Sequence, residues 1–163
     1  MRKLLFILVS LLAAGQACAD NFIVDRVYHP YVLPFEREVE WRLTSRQSDE
    51  GNILQQRYSF GHSLSERSIL EAYIVGSRDE YDNFGVSGYE LEFRAQLTEQ
   101  GQYWADWGVL VELEKQHASN DWEAKAGILT EKEFGRFSLT TNVIVMYEWG
   151  ETVENEIEGQ FKM

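Results

Sequence analysis

Residues 89–97 read Tyr-Glu-Leu-Glu-Phe-Arg-Ala-Gln-Leu, and apolar and polar side chains alternate at every step. Successive side chains of a β-strand point to opposite faces of a sheet, whereas a helix would spread both sets around its circumference. The stretch therefore predicts an amphipathic β-strand. One of its faces is apolar, and the other carries carboxylate, guanidinium and amide groups.

The same alternation continues along the chain on both sides of this stretch. It recurs upstream at residues 38–43, 54–60 and 70–74, and downstream at 105–114, 122–131, 137–148 and 153–161. The segment at 153–161 alternates least regularly. With its flanking residues, each of the eight segments is close to the about 9–11 residues that a tilted transmembrane strand requires.

Short polar connectors separate the segments. Most contain Gly, Asn, Asp or Ser, which are typical of turns, and they lie at residues 47–52, 62–67, 78–84, 98–102, 116–121, 132–136 and 150–152. All are short enough for hairpins, so the simplest strand order is an antiparallel meander. Residues 20–34 hold Pro30 and Pro34 and predict an extended lead-in, because proline disfavours a helical conformation of the preceding residue.

The first residues have the three-part layout of a secretory signal peptide. Arg2 and Lys3 supply positive charge, residues 4–14 form an apolar run, and Ala17 and Ala19 are the small residues before a cleavage point. The apolar run is shorter than the about 20 residues that a membrane-spanning helix needs. We therefore expect the signal peptide to be cleaved from the exported protein.

Cleavage of residues 1–19 would leave residues 20–163 as one β-barrel domain without cysteine, because Cys18 is the only cysteine of the chain. A lipoprotein with Cys18 as its lipidated first residue is the alternative. It fits poorly, since Gly15 and Gln16 occupy the positions where such signals carry Leu and a small residue. The removed residues include two basic and no acidic side chains, so the formal charge of −12 becomes −14 over 144 residues. This acidic balance argues against nucleic acid as a partner.

Alternation alone fits a soluble barrel, whose apolar face lies inside, and a membrane barrel, whose apolar face meets lipid. Aromatic side chains near the segment ends favour the membrane barrel, since such rings form girdles at the water–lipid boundaries: Tyr89, Trp104, Trp107, Trp122, Phe137, Tyr147 and Trp149. Lipid tails can also fill the space around small apolar-face residues: Ala72, Ala95, Ala105, Ala124 and Ala126. The sequence predicts an all-β fold, an antiparallel up-and-down transmembrane β-barrel with about eight strands in this chain.

Residues 99–114, Glu-Gln-Gly-Gln-Tyr-Trp-Ala-Asp-Trp-Gly-Val-Leu-Val-Glu-Leu-Glu, are followed by Glu-Lys-Glu-Phe-Gly-Arg at 131–136. With the lead-in, they resemble a group of uncharacterised proteobacterial outer-membrane β-barrel proteins with porin-like structural motifs. The resemblance covers most of the exported chain but brings no catalytic or binding residues. Members of that group are longer, and such barrels commonly end in an aromatic residue, whereas Phe161 is followed here by Lys162 and Met163. Both a complete eight-stranded barrel and a truncated part of a larger one stay open.

A second resemblance is local. His117, Ser119 and Asn120, followed by Glu131, are similar to the His-x-Ser-Asn and glutamate arrangement of outer-membrane lipid A deacylases. In that arrangement His117 would take the proton of Ser119, and Glu131 would orient the imidazole. However, His117 and Ser119 fall in a polar connector, and a ten-residue strand places Glu131 about 30 Å away. We expect a hydrophilic loop without catalytic residues, with the deacylase as the alternative.

The remaining polar residues form no metal or cofactor motif. His29 and His62 lack partners at ligand spacing, and the acidic connector at 79–82 lacks the pattern of a calcium loop. Carboxylates on the polar faces would line the barrel interior: Glu90, Glu92, Glu112, Glu114, Glu154, Glu156 and Glu158. They would either favour cations in a pore or be paired within a closed lumen, which suits eight strands better.

These features predict a non-enzymatic protein of the outer membrane, either a small channel or a structural component. A soluble periplasmic ligand-binding barrel is a further alternative. The expected partners are outer-membrane lipid, lipopolysaccharide and the barrel-assembly machinery. Neither a cofactor nor nucleic acid is expected.

Overall fold

The computed structural model describes residues 26–48, 51–78 and 83–163, so the predicted signal peptide and the acidic connector at 79–82 lie outside the described residues. All regular structure in these ranges is β-strand. The strands are β1 (Arg37–Ser48), β2 (Gly51–Ser65), β3 (Ser68–Arg78), β4 (Phe84–Gln96), β5 (Asp106–Gln116), β6 (Trp122–Phe134), β7 (Phe137–Trp149) and β8 (Glu156–Lys162). Each strand pairs antiparallel with the next, in chain order. The predicted all-β, up-and-down antiparallel arrangement is confirmed.

Several strand ends differ from those that the alternation predicts. β2 continues to Ser65 and β6 to Phe134, so tight turns follow them where longer connectors were expected. In the turn after β6, Gly135 has a φ of 65°, a left-handed conformation that glycine adopts without a steric penalty. β8 begins at Glu156, which leaves Glu154 in the preceding loop and corrects the predicted start of this strand.

The two faces of the sheet differ in polarity and in exposure. Along β4, Glu90 and Glu92 are 4% and 0% exposed, whereas Leu91 between them is 47% exposed. On β5, Val111 is 52% exposed and Glu112 is 2% exposed. Other exposed apolar side chains on the Leu91 side include Val39, Trp41, Leu43, Tyr58, Phe60, Ile74, Val143 and Val145. We call this apolar side the outer face and the carboxylate side the inner face.

The sheet curls around the lead-in segment, residues 26–36. A flat sheet of eight strands would separate its outermost strands by about 33 Å. Here Arg26 Nη1 lies 3.4 Å from the Glu40 carboxylate in β1, and the Arg26 guanidinium carbon lies 4.8 Å from the centre of the Tyr28 ring. The Lys162 ammonium in β8 lies 5.9 Å from the same ring. The edges thus approach each other across the lead-in, but β1 and β8 do not pair within the described residues and the sheet is open.

A small apolar layer lies where the lead-in meets the inner face. It consists of Tyr28, Leu110, Leu129 and Ile144, which are at most 3% exposed. Ala105, which the alternation assigned to the lipid-facing side, is also buried. It lies in the loop that precedes β5, so the alternation of that strand does not set the direction of its side chain. Residues 26–48, 51–78 and 83–163 contain no helix with the length and apolar character of a membrane span.

Candidate functional site

The lead-in segment is fixed to the inner face by buried hydrogen bonds. The side-chain amide of Asn142 in β7 accepts a hydrogen bond from the Tyr28 N–H at 2.8 Å and donates one to the Tyr28 carbonyl at 2.9 Å. The Tyr28 hydroxyl donates to the Glu92 carboxylate in β4 at 2.7 Å. All three residues are at most 3% exposed. Buried polar groups with such hydrogen bonds hold a segment in one position.

The lead-in also contacts the sheet closely at β5 and β2. A Cβ at Gly108 would lie 2.9 Å from the Cα of Pro30, so only glycine allows this approach. In β2, the Ser63 hydroxyl donates to the Leu33 carbonyl at 2.7 Å, and the Ser63 N–H donates to the Glu36 carbonyl at 3.0 Å. The segment is therefore attached along its whole described length.

Two side chains of the lead-in contact acidic residues close to one end of the sheet. His29 Nδ1 lies 2.5 Å from the Glu131 carboxylate in β6. This contact supplies a partner for His29 that its sequence neighbours do not offer. The Tyr31 hydroxyl donates to Asp106 at 2.7 Å. Burial, this hydrogen bond and the nearby carboxylates raise the pKa of Tyr31 above its ordinary value.

A row of carboxylates crosses the inner face at right angles to the strands. Glu90 in β4 is paired in register with Glu114 in β5, and Glu114 is paired with Glu123 in β6. Glu148 in β7 and Glu156 in β8 continue the row. Like charges directly opposite each other in neighbouring strands are destabilising. The inner face therefore needs cations or protons that offset this repulsion.

One group of ion pairs, the lead-in cluster, is formed by Arg26, Glu71, Glu92 and Arg94. Arg94 contacts Glu71, and its Nε lies 2.8 Å from Glu92. Arg26 Nη2 lies 3.2 Å from Glu71 and 3.5 Å from Glu92. Two guanidinium groups thus face two carboxylates, and the formal charges of the lead-in cluster balance.

The neighbouring group, the carboxylate cluster, consists of Glu90, Glu112, Glu114 and Glu123 with the cations Arg57 and Lys125. Arg57 contacts Glu90, and Lys125 Nζ lies 2.8 Å from Glu112 and 2.6 Å from Glu123. Four carboxylates against two cations leave a formal charge of −2. Buried charge without compensation is unfavourable, so the carboxylate cluster is the electrostatically incomplete part of the interior.

The predicted interior carboxylates divide into two sets. The buried set is Glu90, Glu92, Glu112 and Glu114. The exposed set is Glu154, Glu156 and Glu158. Glu154 is exposed because it lies in a loop, and Glu156 and Glu158 are exposed because β8 is an edge strand with a neighbour on one side only.

Sequence reasoning did not identify the partners of the buried carboxylates. These partners are Arg26, Tyr28, Arg57, Arg94 and Lys125. The alternation places Arg94 and Lys125 on the polar face, but the pairs that they form depend on strand register. Arg26 and Tyr28 belong to a segment whose prolines predict an extended chain but not its position, so its place inside the curled sheet could not be inferred.

The three deacylase-like residues are not brought together. The Ser119 hydroxyl donates to the Asp121 carboxylate, and His117 Nδ1 lies 3.2 Å from the Tyr89 hydroxyl. Glu131 lies toward the other end of β6, where it faces the first residue of β5. The serine proton is therefore directed at an aspartate rather than at the imidazole, and these residues form no hydrolytic triad.

Asp121 instead joins the β5–β6 connector to the β7–β8 connector. Its carboxylate accepts hydrogen bonds from the hydroxyls of Ser119 and Thr152 and from the backbone N–H groups of Glu151 and Thr152. These bonds, with that of Ser119 the largest contribution, lower the pKa of Asp121 below its ordinary value. Gly150 lies so close that any Cβ there would overlap the carboxylate. The arrangement is a structural link between two connectors.

Many aromatic side chains of the outer face lie at two levels near opposite strand ends, whereas Phe93 lies between them, in register with Val111. At one level Tyr89, Lys115, Trp122 and Trp149 are register neighbours across β4 to β7, and the two indole rings stack with centroids 6.4 Å apart. The other level is a broader zone toward the opposite strand ends. There Trp107 is in register with Thr130, Phe134 pairs with Phe137 four positions further along β6, and Trp104 lies in the loop before β5. Trp107 and Lys115 are eight positions apart on β5, which corresponds to about 27 Å along a strand. The two levels thus border a band of apolar side chains.

Comparison of the chain with protein-family models, with curated proteins and with solved structures found no match. The likeness of residues 99–114 to outer-membrane proteins therefore stays a prediction.

Proposed function

We propose that the protein is a transmembrane β-barrel of the outer membrane whose interior is filled by its own lead-in segment and by ion pairs. The observation that carries this proposal is the inverted distribution of side chains. Val111 and Val143 on the outer face are 52% and 54% exposed, whereas Glu71 and Glu92 on the inner face are 0% exposed. Water would favour the opposite arrangement, while a bilayer favours this one.

The two aromatic levels support the same proposal. A strand tilted by about 40° converts the separation of about 27 Å into about 20 Å along the membrane normal. The apolar band of outer-membrane barrels is about 25 Å tall and is flanked by aromatic girdles. Trp107 and Trp122 have the amphipathic indole rings that suit these boundaries.

A bilayer location also sets a requirement for β1 and β8. Unpaired backbone groups at a sheet edge have no hydrogen-bond partner in hydrocarbon, and each costs several kcal/mol. The proposal therefore includes closure, in which β1 and β8 pair with each other or with further strands. The curl of the sheet favours direct closure, because Arg26 and Tyr28 already contact both edge strands.

The filled interior favours a structural role over an open channel. Interiors of eight-stranded barrels are just wide enough for side chains to fill, and here the lead-in adds backbone bonds to Asn142 and Gln96. The deacylase alternative has no support from the positions of His117, Ser119 and Glu131. A soluble periplasmic barrel would need a cover for its apolar outer face.

Expression of the full chain in a Gram-negative host tests the proposal. We expect recovery in the outer-membrane fraction, extraction only with detergent, and different gel mobility before and after boiling. Recovery in the soluble periplasmic fraction without a mobility shift would contradict the membrane assignment. After reconstitution in planar bilayers, we expect no steady conductance, and a large steady conductance would contradict the filled interior while leaving the membrane assignment intact.

A further inference from the structure

We infer that the carboxylate cluster binds one divalent cation of the calcium type through Glu90, Glu112 and Glu114. One carboxylate oxygen of each residue lies within 4.8 Å of an oxygen from each of the other two. Ca²⁺ coordinates oxygens at about 2.3–2.6 Å, so ligands on opposite sides of one ion lie about 5 Å apart. The three oxygens already lie at separations that a shared ion can bridge.

Glu90 supplies an independent observation. Its side chain is 1% exposed, and one of its oxygens contacts Arg57. The other oxygen, Oε1, is buried and has no hydrogen-bond partner within the described part of the chain. A buried acceptor without a partner is rare and unfavourable, and it calls for an ion or another bound group. A cation between the three carboxylates would satisfy it.

The formal charges of the two clusters on the inner face also favour a cation in the carboxylate cluster. The lead-in cluster sets two guanidinium groups against two carboxylates and is formally neutral. The carboxylate cluster sets Arg57 and Lys125 against four carboxylates and is left at −2. One divalent cation would supply the missing charge of the carboxylate cluster. Glu92 Oε1 in the lead-in cluster also lacks a hydrogen bond within the described residues, but it lies 2.8 Å from Arg94 Nε, so only the carboxylate cluster has uncompensated charge as well.

The basic side chains leave room for coordination. Lys125 contacts Oε1 of Glu112, and Arg57 contacts Oε2 of Glu90. The Gln116 amide donates to Oε1 of Glu114 at 3.2 Å. Each carboxylate thus keeps a second oxygen for a metal ion. Three protein oxygens in a confined site suit Ca²⁺, whose geometry is adaptable, better than Mg²⁺, which demands near-ideal octahedral geometry.

The test uses the full chain purified in detergent and stripped of metal with a chelator. Calorimetric titration with Ca²⁺ should give one site per chain, and Mg²⁺ should bind more weakly. In a thermal unfolding experiment, Ca²⁺ should raise the unfolding temperature. E114Q should weaken Ca²⁺ binding at least tenfold. E156Q removes the same charge from the exposed end of the same row and should bind Ca²⁺ as the unmodified protein does.

Absence of Ca²⁺ binding in the unmodified protein, with an unfolding temperature that does not respond to Ca²⁺, would overturn the inference. Equal weakening by E114Q and E156Q would also overturn it, since this would indicate attraction to surface charge. If E114Q does not fold, the shift in unfolding temperature of the unmodified protein and of E156Q still decides. Binding is measured on the folded protein, so the result is independent of whether the membrane assignment holds.

Discussion

Val111 and Glu112 are adjacent on β5, yet their side chains belong to different environments. Val111 is 52% exposed on the outer face, and Glu112 is 2% exposed on the inner face with Lys125 at 2.8 Å. Substitutions on the outer face should therefore be sensitive to the medium around the protein. Substitutions on the inner face should be sensitive to the loss of specific partners. This difference can be tested one face at a time.

The largest effect is expected from the inner face. Arg94→Met leaves Glu71 and Glu92 buried with one guanidinium fewer, and breaking such a buried pair typically costs about 3–5 kcal/mol. Urea unfolding of the refolded protein measures the free energy of unfolding. Arg37→Met is the control, because Arg37 is exposed on β1 and should change little. Similar values for both variants would contradict a buried lead-in cluster.

The outer face should give the next largest effect. Val111→Arg should destabilise the protein in lipid vesicles by about 2–4 kcal/mol if Val111 lies near the bilayer midplane, and Leu97→Arg, just beyond β4, by about 0–1 kcal/mol. Reversible unfolding from vesicles compares the two variants. If the outer face met water, both would be nearly neutral, because both positions are about half exposed. Two small and equal effects would therefore argue against a lipid-facing surface.

A third prediction concerns the contact between the lead-in and β5. Gly108→Val places side-chain atoms against Pro30, and overpacking of this kind costs about 1–3 kcal/mol. The lead-in should become easier to cleave by trypsin at Arg26. Gly159→Val is the matched control, since a Cβ at Gly159 meets nothing within 4 Å. Equal protease resistance of the two variants would argue against a docked lead-in.

The smallest effect is expected at the connectors and depends on pH. The pKa of Asp121 is lowered in the folded protein, so its stabilising contribution is complete above the ordinary aspartate value of about 3.9 and is lost as pH falls below it. Asp121→Asn should lower stability at neutral pH and flatten this acid-dependent loss. The difference in unfolding temperature between the unmodified protein and the variant should narrow below about pH 4. A difference that stays constant would contradict the assignment.

Sequence reasoning predicted the strands better than it predicted the interior. Residues 89–97 alternate without interruption, and in β4 the carboxylates lie on one face and the apolar side chains on the other, as a period of two requires. The carboxylates are buried, and the apolar side chains are exposed or half-buried. The weakest segment, at 153–161, was misplaced at its start, because an edge strand leaves few constraints on its side chains. The turns after Ser65 and Phe134 were also shorter than expected.

The site depends on contacts that local sequence does not encode. The alternation along each strand placed Glu90, Glu92, Glu112 and Glu114 on one face, because side-chain direction follows from the backbone. It did not identify Asn142 as the partner of Tyr28, since that contact requires the whole sheet to curl. His29 was interpreted as isolated because Glu131 lies 102 residues away in the chain.

The Asn142 amide bonds both backbone groups of Tyr28 across 114 residues of chain. A contact over so long a loop forms late, because the entropy of closing the loop must be overcome first. The lead-in comes early in the chain, yet it can be secured only after β7 has been made and paired. The strands must therefore pair while the lead-in is not yet bound to the sheet, and docking of the lead-in is a late folding step.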